Sequence, residues 1–113
     1  MFKVEAITPS IGAEISGVSL NKDLSSATVE KIYSALIKHQ VIFFRDQDIS
    51  PETHLKLAES LGDIDPGHPV YPHVEGYQSI VLLKNDAHTT PDTNDWHKDL
   101  TFKANPPFAS ILH

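Results

Sequence analysis

Residues 25–47 read Ser25-Ser26-Ala27-Thr28-Val29-Glu30-Lys31-Ile32-Tyr33-Ser34-Ala35-Leu36-Ile37-Lys38-His39-Gln40-Val41-Ile42-Phe43-Phe44-Arg45-Asp46-Gln47. Val29, Ile32, Tyr33, Leu36 and Ile37 fall at i, i+3, i+4, i+7 and i+8, the apolar face of an amphipathic helix. Ser25 is the expected N-cap, because its hydroxyl can accept from an otherwise unpaired N–H of the first turn. His39 ends the helix, where an imidazolium complements the dipole. The period then breaks into Val41-Ile42-Phe43-Phe44, a continuous β-branched and aromatic run expected of a strand buried on both faces. Arg45, with Asp46 beside it, reads as half of a structural ion pair. A helix running directly into a strand makes this a mixed chain, and α+β is the expected class.

Outward from this stretch the same rules apply. Residues 2–7 alternate Phe2, Val4, Ala6 against Lys3, Glu5, the period of a half-buried strand, and Pro9 ends it. Residues 11–18 form a second extended piece whose glycines mark a bulge or a close backbone approach. Downstream, Ser50 is the N-cap of a second helix, with Pro51 at its first position, Leu55, Ala58 and Leu61 on its buried side and Gly62 as its stop. Residues 62–77 hold three prolines and three glycines and read as a long loop. Residues 79–83 and 96–102 are strand candidates, separated by a polar loop over 85–95.

Composition narrows the chemistry. The chain has 113 residues, enough for one domain that buries roughly two-thirds of its unfolded surface. It has no cysteine, which excludes disulfides, thiolate zinc and a cysteine nucleophile. Any metal must be held by His, Asp or Glu. A net charge of -6 without a basic cluster argues against nucleic acid as a partner. No apolar run approaches the roughly 20 residues of a membrane span, and Met1-Phe2-Lys3-Val4-Glu5 lacks signal-peptide character, so a soluble cytoplasmic protein with no membrane partner is expected. The chain closes on Phe108-Ala109-Ser110-Ile111-Leu112-His113, an apolar run without a stop signal, so 1–113 is expected to be a portion of a larger domain.

Four of the seven histidines, His68, His73, His88 and His97, lie within residues 62–99. The sharpest local pattern is His97-Lys98-Asp99, because residues i and i+2 of a strand point to one face. An imidazole and a carboxylate so placed, joined by a second His, make the facial triad that leaves three positions open on Fe(II). Spacing alone leaves open that His97 and Asp99 satisfy backbone groups at a strand end. His73-Val74-Glu75 is a rival pair, but in a loop no strand would hold both side chains to one face. His113 is a further ligand candidate, and Trp96 reads as a core or pocket-wall aromatic. His68 and Tyr71 sit in His68-Pro69-Val70-Tyr71-Pro72-His73, where two prolines reduce the entropy lost in presenting polar groups, though a plain solvent-exposed loop fits equally.

Four segments in order resemble one family: Ile11-Gly12-Ala13-Glu14-Ile15-Ser16-Gly17-Val18-Ser19-Leu20, Val41-Ile42-Phe43-Phe44-Arg45-Asp46-Gln47, His68-Pro69-Val70-Tyr71-Pro72-His73, and Asn94-Asp95-Trp96-His97-Lys98-Asp99-Leu100-Thr101-Phe102. Together they resemble the N-terminal part of the taurine dioxygenases, Fe(II)- and 2-oxoglutarate-dependent enzymes. The resemblance implies the N-terminal part of a double-stranded β-helix, or jelly roll, flanked by helices, which would shelter a reactive site from water. It implies Fe(II) as cofactor, 2-oxoglutarate as cosubstrate, O2, and a small anionic sulfonate or sulfate ester as substrate.

The resemblance further implies that His97 and Asp99 are the first two iron ligands. It places His68 toward the sulfonate, Tyr71 and Asp92 toward the amine end of taurine, and the Leu100 N–H as a further sulfonate donor. Thr93 stands where the taurine enzyme has Asn, which puts taurine itself in doubt. The third ligand and the two arginines that grip 2-oxoglutarate and sulfonate would lie beyond residue 113, so the isolated chain is expected to show no turnover. A non-catalytic binding domain with a partial metal site is the alternative, and a homo-oligomer is left open.

Overall fold

Ser25 does cap a helix. In a computed structural model that describes residues 1–65, 71–84, 86–88, 95–96 and 103–113, α1 spans Ser26–His39, and the Ser25 hydroxyl accepts from the Thr28 N–H. The remaining elements are strands β1 (Lys3–Ala6), β2 (Ala13–Ser16) and β3 (Ile42–Phe44), helix α2 (Pro51–Leu61), and strands β4 (His73–Val74) and β5 (Tyr77–Val81). The chain divides into two compact units, Met1–Asp63 and Ile64–His113.

The first unit is a three-stranded sheet, ordered β1-β2-β3, with two helices. β1 and β2 are antiparallel, whereas β2 and β3 are parallel, with α1 as the crossover a parallel pair requires. Ala13 and Ile15 of β2 pair with Ile42 and Phe44 of β3, and this face joins Ile32 and Ala35 of α1 and Leu57 of α2 in the core. Leu20 and Ile49 complete it. α1 packs on both α2 and β3.

Burial departs from the sequence expectation in four places. Tyr33 and Ile37 of α1 are exposed, Ile37 by 54%, because the core lies along Ile32 and Ala35, one side of the apolar stripe. In α2 the buried residue is Leu57; Leu55, Ala58 and Leu61 are only half-buried around it. β3 is not buried on both faces: Phe43 is 41% exposed, since it pairs with Glu14 on the face of the sheet away from the core. All four β1 residues are exposed: β1 pairs with β2, and α1 packs on β3 at the opposite edge of the sheet.

Polar groups finish the unit. Gln47 joins two loops through one side chain: its Oε1 accepts from the Leu20 N–H at 2.9 Å, and its Nε2 donates to the carbonyls of Val18 at 3.2 Å and Arg45 at 3.1 Å. Asn21 Nδ2 donates to the Asp48 carbonyl beside it. Arg45 makes the expected ion pair, but with Glu14 across the sheet at 3.2 Å rather than with Asp46, and its guanidinium lies 5.6 Å from the Phe43 ring centre. Gly17, at φ +77°, meets the other glycine expectation: a Cβ there would strike the Met1 backbone. Ser50, Pro51 and Gly62 bound α2 as the sequence indicates. No helix among the described residues is long and apolar enough to cross a membrane.

Candidate functional site

The second unit holds the chemistry-bearing stretch. Part of the expected loop over 62–77 is a hairpin: β4 and β5 pair antiparallel, with Val74 opposite Tyr77 and the two-residue turn Glu75-Gly76 between them. Gly76 takes φ +82°, a conformation that costs glycine little and a branched side chain much. β5 therefore starts two residues before the expected 79–83 strand, and Leu82 and Leu83 are exposed. β4 was not legible because two residues show no period.

The hairpin fixes the neighbourhood of Tyr71. The Leu82 N–H donates to the Pro72 carbonyl at 2.8 Å, tying the chain just after Tyr71 to the end of β5. Tyr71 is half-buried there. The rival metal pair does not form on a strand: His73 is in β4 and Glu75 in the turn. His73 Nδ1 donates to the Val74 carbonyl at 2.8 Å, and the register shifts at these two residues. Among the described residues no group of three or more His, Cys, Asp or Glu could hold a metal.

Trp96 is not a core aromatic; its indole is exposed in irregular backbone. Asp86 accepts from the His88 N–H at 2.8 Å, a local turn closed by a carboxylate. His68, Asp92, Thr93, His97, Asp99 and Leu100 lie outside the described residues, as does most of the 96–102 strand candidate.

Sequence reasoning missed one ion pair among the described residues of this unit. Lys103 Nζ lies 3.3 Å from Asp65 Oδ2, with the side chains 38% and 36% exposed. Asp65 directly precedes residues 66–70, which include His68, and Lys103 directly follows residues 97–102, which include His97, Asp99 and Leu100. No local pattern could announce a pairing across 38 residues. An open depression of about 620 Å³ in the first unit, lined by Gly17, Val18, Ser19, Lys22, Leu24 and Thr28 among others, contains none of the candidate residues.

Comparison with known proteins defines the class. The family model for the taurine catabolism dioxygenase TauD, TfdA family matches residues 3–113, and the chain belongs to that family. It is 43% identical over 110 residues to an alpha-ketoglutarate-dependent sulfate ester dioxygenase of Pseudomonas putida, covering 96% of this chain and 36% of that protein. It is 40% identical over 111 residues to an alkylsulfatase of Acinetobacter baylyi, covering 97% of this chain and 34% of that one. A crystal structure of a taurine dioxygenase from Burkholderia xenovorans superposes with a TM-score of 0.65 at 36% identity, over 68% of this chain and 28% of that chain. The chain spans about a third of the length of the curated relatives it matches.

Proposed function

We propose that the protein is an Fe(II)- and 2-oxoglutarate-dependent dioxygenase that hydroxylates a small sulfate ester or organosulfonate at the carbon bearing the sulfur group. The hydroxylated carbon collapses to an aldehyde and expels sulfate or sulfite; one oxygen atom of O2 goes to that carbon and the other to succinate, which forms with CO2 from 2-oxoglutarate. The observation that carries this reading is the family match over nearly the whole chain, supported by two relatives named for sulfate ester chemistry. The jelly roll is part of the same proposal: the matching dioxygenase structure supports it, and the three-stranded sheet with its crossover helix would be its flank.

The donor set fits the metal. With no cysteine in the chain, the strong protein donors are imidazole nitrogen and carboxylate oxygen, which suit ferrous iron. His97 and Asp99 would hold it, and Fe(II) with 2-oxoglutarate and O2 supplies the oxidation when bound. His68 would donate a hydrogen bond to a sulfate or sulfonate oxygen, as would the Leu100 N–H; charge assistance makes such bonds strong. Tyr71, held beside the hairpin through Pro72, would orient the organic end together with Asp92. Thr93 presents a hydroxyl in place of a carboxamide, which favours substrates without taurine's amine.

The test is anaerobic addition of Fe(II) and 2-oxoglutarate to the full-length protein. A visible metal-to-ligand charge-transfer band is expected, followed on admitting O2 and an alkyl sulfate by sulfate and succinate in equal amounts. Absence of the band would refute the dioxygenase reading and favour the binding-domain alternative. A band with sulfite release from sulfonates alone would narrow the substrate class.

A further inference from the structure

We infer that β3 is an interior strand of the full-length protein, and that a strand from the chain beyond residue 113 pairs along its open edge; this rests on the fold proposed above, not on the activity. The two edges of the three-stranded sheet are built differently. β1 reads Lys3-Val4-Glu5-Ala6, exposed throughout, with Lys3 and Glu5 paired at 2.9 Å. Charged side chains of this kind keep an edge from pairing with another strand. β3 reads Ile42-Phe43-Phe44, with no charge before Arg45. Such apolar runs belong to strands of parallel sheets whose faces are both covered.

Backbone and side chains of β3 agree. The Ala13 N–H donates to the Val41 carbonyl at 3.0 Å, and Ala13 stands opposite Ile42 in the parallel register. Phe43 therefore turns its N–H and C=O toward β2, and Ile42 and Phe44 turn theirs to the other side. Among the described residues no strand lies there, yet backbone groups on an apolar strand need partners. Ile42 and Phe44 are only half-buried, although Ala13 and Ile15 opposite them are 0% and 2% exposed. Phe43 stays 41% exposed even with the Arg45 guanidinium 5.6 Å from its ring centre. Gln40 and Asp46, at φ +70° and +54°, leave the extended region, so an incoming strand can follow β3 only over residues 41–45. The occupant is the same polypeptide rather than a second copy. About two-thirds of each curated relative lies outside the match, and a tethered segment meets this edge at an effective concentration set by its own chain.

Hydrogen exchange of the full-length protein, read at single amides by mass spectrometry with electron-transfer fragmentation, tests the edge. The N–H groups of Ile42, Phe43 and Phe44 are all expected to exchange at least about a hundredfold more slowly than in an unfolded chain. Protection of Phe43 alone, or of anything less than all three, overturns the pairing. Replacing Phe43 by the photoreactive p-benzoylphenylalanine then identifies the neighbour. A crosslink within one molecule to a residue beyond 113 is expected; a crosslink between two copies, one confined to residues 1–113, or none at all overturns the assignment. The anaerobic charge-transfer band is read on the same protein. A band with an unprotected edge leaves the dioxygenase reading standing without the pairing, and a protected, crosslinked edge without a band leaves the pairing standing without the dioxygenase.

Discussion

Replacing Gln47 by alanine isolates what a single side chain does for the first unit. The carboxamide closes three hydrogen bonds, and they are not equivalent. The carbonyls of Val18 and Arg45 belong to half-buried and exposed residues and can turn to water. Leu20 is 6% exposed, so its N–H loses its 2.9 Å partner with little access to solvent. An orphaned buried donor costs roughly 1–3 kcal/mol, and two bonds exchanged for water cost less than about 1 kcal/mol each. Release of the Gln rotamers offsets part of this. The expected net loss is about 2 kcal/mol, against a stability of roughly 3–9 kcal/mol for a unit of this size. Urea unfolding followed by far-UV circular dichroism reads it as a midpoint lower by about 1 M. Gln47→Glu keeps the acceptor for Leu20 but turns a carboxylate toward two carbonyls, so it is expected to be no more stable than the alanine variant. A Gln47→Ala midpoint within 0.2 M of the parent, or a parent-like Gln47→Glu, would refute the reasoning.

Ile32→Ala empties the most buried large side chain among the described residues, 1% exposed, and is expected to cost about 2–4 kcal/mol by the same unfolding assay. Ser50→Ala removes the acceptor for the Thr53 N–H and is expected to cost about 1 kcal/mol, with Ser50→Asp restoring most of it. Gly17→Ala places a methyl against the Met1 backbone at φ +77°, so amide exchange across the β1–β2 pairs is expected to quicken while α2 stays protected. His97→Ala is expected to abolish paramagnetic broadening by Mn(II) of the other histidine ring resonances, and His73→Ala to leave it unchanged; the reverse ranking would transfer the metal assignment to the rival pair.

The ends of both helices were legible in the sequence, as was the alternation between helix and strand. Ser25, Ser50, Pro51 and Gly62 act on backbone groups within one turn of themselves, so local sequence decides them. The resemblance in four segments also led to the family, because residue types at fixed spacing survive without knowledge of the fold.

The tertiary structure decided the rest. An apolar stripe says that one side of α1 will be covered, but the position of β3 and α2 decides that Ile32 and Ala35 lie under the cover while Tyr33 and Ile37 do not. The Val41-Ile42-Phe43-Phe44 run suits a strand buried on two faces; burial depends on what packs there, and the face carrying Phe43 is open. Two-residue β4 exists only because β5 supplies its hydrogen-bond partners. Likewise Gln47 with Leu20, Arg45 with Glu14 and Asp65 with Lys103 are separated by 27, 31 and 38 residues, so only the folded chain brings them within bonding range. Sequence by itself determined the local hydrogen-bond closures and the chemical type of the candidate ligands. Which faces are dry and which distant groups meet were set by packing, because both depend on neighbours that no local window contains.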